Sequence, residues 1–221
     1  MTDATTHDAP ETATGPAGMV RVWDPLVRIF HWGLVAAFTA AWLTADDWQI
    51  AHEVAGYTVA GLVAFRLVWG LAGSRHARFA GFLKGPGETL AYIGEMARGR
   101  ERRYLGHNPA GAAMVVALLL TLSGTAFSGW LMADETRVAM LPDMPAIVAP
   151  AWADDDGDAH GARGDVEGAL EEVHESLANL MLLLAALHVG GVVLASFRHH
   201  ENLARAMVTG AKRAAGPGDI A

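Results

Sequence analysis

The stretch EEVHESLANLMLLLAALHVGG, residues 171–191, sets His174 and His188 fourteen residues apart in a run otherwise apolar enough to sit in lipid. An imidazole in hydrocarbon is costly, so where one occurs it faces the interior of a helix bundle and is functional by default. Four of the ten histidines have such surroundings: His31, His52, His174 and His188. Fourteen residues at ~3.6 per turn end only about 40° short of four full turns, so His174 and His188 share one helix face. Ala178, Met181 and Ala185 lie between them on that stripe, and Gly56 follows His52 by one turn. Small residues leave room beside a flat ligand, but they also pack membrane helices together, so they decide nothing alone. His7, His76, His160, His199 and His200 fall in tails and loops and are expected to be wet.

The elements that must position these residues are four apolar blocks, about 26–45, 51–71, 109–132 and 177–197, in a chain of 221 residues that is 52% hydrophobic. Each approaches the ~20 residues a helix needs to cross ~30 Å of hydrocarbon. Asp24 before Pro25 and Asn108 before Pro109 are helix-start signals for the first and third blocks. A soluble all-α protein is the alternative, but GAAMVVALLLTLSGTAFSGWLM has no polar face to turn to water. The fold class is therefore all-α, an integral membrane four-helix bundle. Residues 1–19 are small, polar and acidic, lack the features of a signal peptide, and read as a disordered tail. The bundle domain spans 20–205, and 206–221 reads as a cytoplasmic tail. Cysteine is absent, which excludes disulfides, cysteine-held iron–sulfur clusters and c-type haem attachment.

Of the 16 Lys and Arg residues, only Arg137 and Arg163 fall between the third and fourth blocks; the rest lie on one side. By the positive-inside rule that side is cytoplasmic, and so are both termini. The opposite face is acidic, with Asp46 and Asp47 in a short loop and WADDDGDAHGARGDVEGALEE in a long one, about 133–172. That loop is either a solvated segment or a docking surface for a basic partner, steered by charge. The inner segment GPGETLAYIGEMARGRERR carries Leu90, Ile93 and Met96 on one face, which suits a helix lying along the cytoplasmic interface. No nucleic-acid partner is expected; the partner common to every span is membrane lipid.

Topology also assigns depth. His31 and His188 lie towards the cytoplasmic side, while His52 and His174 lie about 21 Å away towards the other, at ~1.5 Å per residue. Two sites of two imidazoles each do not suit zinc, which wants three or four protein ligands, or calcium and magnesium, which want oxygen. Haem b needs only two axial ligands, and bis-histidine iron has no open position and serves electron transfer. His107, before Asn108-Pro109, reads as interfacial: a bond to a haem propionate or a quinone competes with a plain helix-entry role. Arg66, fourteen residues after His52, and Arg28 are candidates for pairing with a propionate of the inner haem, against simple snorkelling to the headgroups.

The segments VRVWDPLVRIFHW (20–32), HEVAGYTVAGLVAFRLVWG (52–70), GHNPAG (106–111) and VHESLANLMLLLAALH (173–188) resemble the prokaryotic cytochrome b561 family, which includes the b-type cytochrome subunits of nickel–iron hydrogenases. The resemblance implies two haems b per chain, held by His31, His52, His174 and His188, and electron exchange with the quinone pool. It leaves three functions to compare. The first is a respiratory-chain cytochrome of the bacterial inner membrane, passing electrons between quinone and a periplasmic redox partner such as a basic c-type cytochrome. The second is an enzyme, a quinol-dependent oxidoreductase acting on a small acceptor such as superoxide. The third is an anchor, either the cytochrome b subunit of a hydrogenase-like complex or a non-redox protein whose histidines only form hydrogen bonds.

Overall fold

The computed structural model describes residues 18–138 and 159–221. The expectations for the N-terminal tail, for His7 and for the acidic run at 153–158 lie outside them, as do the side chains of His160 and Arg163. In chain order the described elements are strand β1 (Met19–Arg21), helices α1 (Pro25–Thr44), α2 (Gln49–Ala72), α3 (Phe79–Phe82), α4 (Pro86–Ala97), α5 (Pro109–Met132), α6 (Glu135–Val138), α7 (Ala159–Arg198) and α8 (Leu203–Thr209), and strand β2 (Ala211–Arg213).

Helices α1, α2, α5 and α7 are long and apolar enough to cross a membrane. Their outward residues include Leu43 and Leu71, each about three-quarters exposed, with Leu183, Val189 and Phe197. Burying a side chain of this size is worth about 1.5–3 kcal/mol, so a surface of this kind in water would be prohibitive, and lipid covers it. The chain is a multi-pass helical membrane protein. Asp24 caps α1 by accepting from the Val27 amide at 2.9 Å, and Asn108 caps α5 by accepting from Gly111 at 2.7 Å. Such a cap is worth about 1 kcal/mol, and the following prolines need no amide partner.

The close helix pairs are α1 with α2, α2 with α5, and α5 with α7. Helix α7 is not among the close neighbours of α1 or α2, which leaves a seam between them. Phe30, Ala37, Val59, Val63, Leu119, Leu122 and Met181 form the mid-bundle core, and Met181 lies midway between His174 and His188. A second cluster of Val22, Trp23, Val27, Ala77 and Ala206 closes the end where α1 begins.

Two parts differ from the sequence expectation. Helix α7 begins at Ala159, so residues 159–172 of the expected loop are helical. Its three alanines, three glutamates and Leu170 are strong helix formers and outweigh its three glycines. Residues 206–221, expected as a tail, instead fold back on the start of the chain. Strand β2 pairs antiparallel with β1, Val20 opposite Lys212, and Ile220 bridges to Tyr104. Gly210 makes the turn with φ of 82°, and its carbonyl accepts from the Val22 and Trp23 amides. Beneath the pair, Arg103 binds Glu201 at 2.9 Å and Asp219 at 2.6 Å, and Lys212 donates to the Tyr104 and Leu105 carbonyls. In α4, Tyr92 is buried, Leu90 and Ile93 are exposed, and Met96, expected on the same face, is half-buried.

Candidate functional site: two facing histidine pairs

Three helices bring the four histidines together two by two. The His31 ring on α1 faces His188 on α7, centres 6.3 Å apart and planes inclined by 53°. The His52 ring on α2 faces His174 on α7 at 6.1 Å and 71°. Metal–imidazole bonds of about 2 Å, plus about 1.1 Å from nitrogen to ring centre, set two imidazoles on opposite sides of one metal about 6 Å apart. Both pairs have that separation, and both span the seam between α7 and the α1–α2 pair. Among the described residues no group of three or more His, Cys, Asp or Glu is placed to hold a metal, so sites needing more protein ligands find none here.

The pair formed by His52 and His174 is held by hydrogen bonds. His52 Nδ1 lies 2.9 Å from the Ala41 carbonyl oxygen, which can only accept, so Nδ1 carries the proton and Nε2 keeps its lone pair. His174 Nδ1 lies 3.0 Å from Ser128 Oγ. The Ser128 hydroxyl donates to the Thr125 carbonyl at 3.0 Å, so it accepts from His174, whose Nε2 is likewise free. Gly129 sits against the same ring: a Cβ there would come within 2.9 Å of His174 Cε1.

The pair formed by His31 and His188 has different neighbours. His31 Nδ1 is buried without a hydrogen-bond partner. Arg66, only 3% exposed, leans on the Phe79 ring at 4.8 Å, with Nη1 buried and unpartnered. Arg28 donates to the Val208 carbonyl through Nη1, but its Nε is also buried without a partner. Leaving charged donors buried and unsatisfied is expensive, so this end of the bundle suits a group bearing carboxylates. Asp24 lies beside it, accepting from Ser74, Val27 and Trp69. Burial opposes its ionisation, but those bonds outweigh burial and hold its carboxyl below the usual range.

His107 is half-buried at the entry to α5. Its ring is wedged between Trp23 at 4.8 Å and Phe82 at 4.3 Å, with Nδ1 buried and unpartnered. Burial, aided by Arg66 and Lys212, pushes its pKa down to about 3, so the ring is neutral. It lines a cleft of about 140 Å³ together with Arg75, His76 and Tyr104. His76 and His199, expected to be wet, are half-buried.

Sequence reading missed Ser128 and the Ala41 carbonyl, because each meets its histidine across a helix interface that no local pattern encodes. No curated protein and no solved structure matches the chain. The family model for prokaryotic cytochrome b561 matches residues 22–210, nearly the whole described bundle. The chain thus belongs to the prokaryotic cytochrome b561 family, whose members are membrane-bound electron-transfer cytochromes with b-type haem.

Proposed function

We propose that the chain carries two haems b, one between His31 and His188 and one between His52 and His174, and moves electrons between the quinone pool and a redox partner on the opposite face. The observation that carries this reading is the pair of facing imidazoles repeated at two depths. Bis-histidine haem supplies a one-electron couple with no open coordination position. His52 and His174 present Nε2 because their Nδ1 protons are committed to Ala41 and Ser128. Arg66 and Arg28 have buried donors to offer to propionate carboxylates at the inner site, and neutral His107 can add a hydrogen bond there or to a quinone.

The crowding of Lys and Arg around the ends of α1, α2 and α7 supports a bacterial inner-membrane orientation with both termini cytoplasmic. On the opposite face Asp46, Asp47, Glu171, Glu172 and Glu175 are exposed, which suits a basic periplasmic partner of c-type cytochrome character. A pyridine haemochrome assay on the purified full chain should give close to two haems per polypeptide. A value near one or zero would overturn the assignment.

A further inference from the structure

The two histidine pairs are not electrostatically equivalent. Both imidazoles of the outer pair, His52 and His174, have a hydrogen-bond acceptor at Nδ1. Of the inner pair, His31 Nδ1 is buried without one, and no hydrogen bond to the His188 ring is present among the described residues. An imidazole that donates from Nδ1 to an oxygen has more electron density at Nε2 and favours the oxidised, more positive form of a metal bound there. Charge acts in the same sense. The guanidinium groups of Arg66 and Arg28 lie at the inner end and outnumber the single carboxylate of Asp24 there, while exposed Asp46 and Asp47 lie at the outer one. A nearby cation disfavours the oxidised form, and nearby carboxylates favour it.

We infer that Ser128 and the Ala41 carbonyl act as positioning groups that make the outer site the lower-potential one. This inference rests on the two-haem reading above.

Redox titration of the full-length holoprotein in nanodiscs, followed optically, tests the order, with haem content measured on every sample. Wild type should resolve into two components. Ser128→Ala should raise the lower component alone, by up to about the tenfold change in electron distribution that corresponds to 59 mV for a one-electron couple. The Thr125 carbonyl remains beside the His174 ring, so the change should not exceed this. Arg66→Gln should lower the higher component alone. If that variant loses the inner haem, the surviving component must be the lower one. A Ser128→Ala shift in the higher component, a downward shift, or no shift overturns the inference. A wild-type content below two removes the proposed function and this order with it, whereas two haems in reversed order remove only the order.

Discussion

His52 donates its Nδ1 proton to the carbonyl oxygen of Ala41 at 2.9 Å, so a backbone group of α1 decides which nitrogen of an α2 histidine faces His174 on α7. Ala41 lies one turn from the end of α1, where helical carbonyls begin to lack intrahelical partners. The same geometry that closes the short turn into α2 therefore fixes a tautomer, and α1 contributes to both sites while carrying only one of the four histidines.

His52→Ala and His174→Ala should each lose the same haem, because each removes one imidazole of a single facing pair. His31→Ala and His188→Ala should each lose the other. Reduced-minus-oxidised spectra of the four purified variants should fall into two matching sets. Four distinct spectra, or matching of His31 with His52, would contradict the pairing.

Substituting Asp46, Asp47, Glu171 and Glu172 by Asn or Gln should slow electron exchange with a basic c-type cytochrome at low ionic strength. All four side chains are exposed and none is placed to bind haem, so haem content should not change. The difference should shrink as salt shortens the Debye length from ~30 Å at 0.01 M to ~8 Å at 0.15 M. Stopped-flow rates at the two salt concentrations decide the matter: equal rates for both proteins at low salt would remove the docking role.

Acid should loosen the end of the chain. Burial alone would raise the Glu201 pKa, but the Arg103 guanidinium and the Arg213 amide outweigh it and depress it. Asp219 is depressed by the Gly216 amide and by Arg103. A carboxylate with a depressed folded pKa adds stability that is present above its unfolded value and lost as pH falls through the folded one. Exchange of the 211–213 amides, corrected for intrinsic rate, should therefore be slow at pH 7 and rise below about pH 4. Glu201→Ala should show the acid behaviour at neutral pH, since breaking a buried pair costs on the order of 3 kcal/mol. Unchanged protection in that variant would mean that the strand pair holds without the ion cluster.

What could be read in the sequence was what a single helix encodes. The caps at Asp24 and Asn108, the shared face of His174 and His188, and the matching depths of His31 with His188 and of His52 with His174 all follow from local pattern and helix period. Nothing local announces that Ser128 will meet His174, or that Arg103 will meet both Glu201 and Asp219, since those partners are brought together by tertiary packing. The start of α7 differs for another reason: the acidic charge of residues 159–172 reads as a solvated loop, while their three alanines and three glutamates favour helix.

Gly129 supplies the sharpest steric test. It lies next to Ser128 on α5, where α5 and α7 pack closely, and a Cβ there would stand 2.9 Å from His174 Cε1 and 3.4 Å from Nδ1. The imidazole cannot retreat without leaving the Ser128 hydroxyl, and α7 cannot move away without opening its contact with α5. Gly129→Ala should therefore displace the His174 ring by a few tenths of an ångström, and Gly129→Val by more. The consequence should be graded and confined to one site: altered low-spin EPR signals from the outer haem in the alanine variant, and loss of that haem in the valine variant. The signal from the pair His31 and His188, about 21 Å away along α7 at ~1.5 Å per residue, should stay as in wild type. Loss of both haems with retained helix content would show that the two sites do not fold independently, and an unchanged outer signal in both variants would show that α7 can shift at this contact without cost.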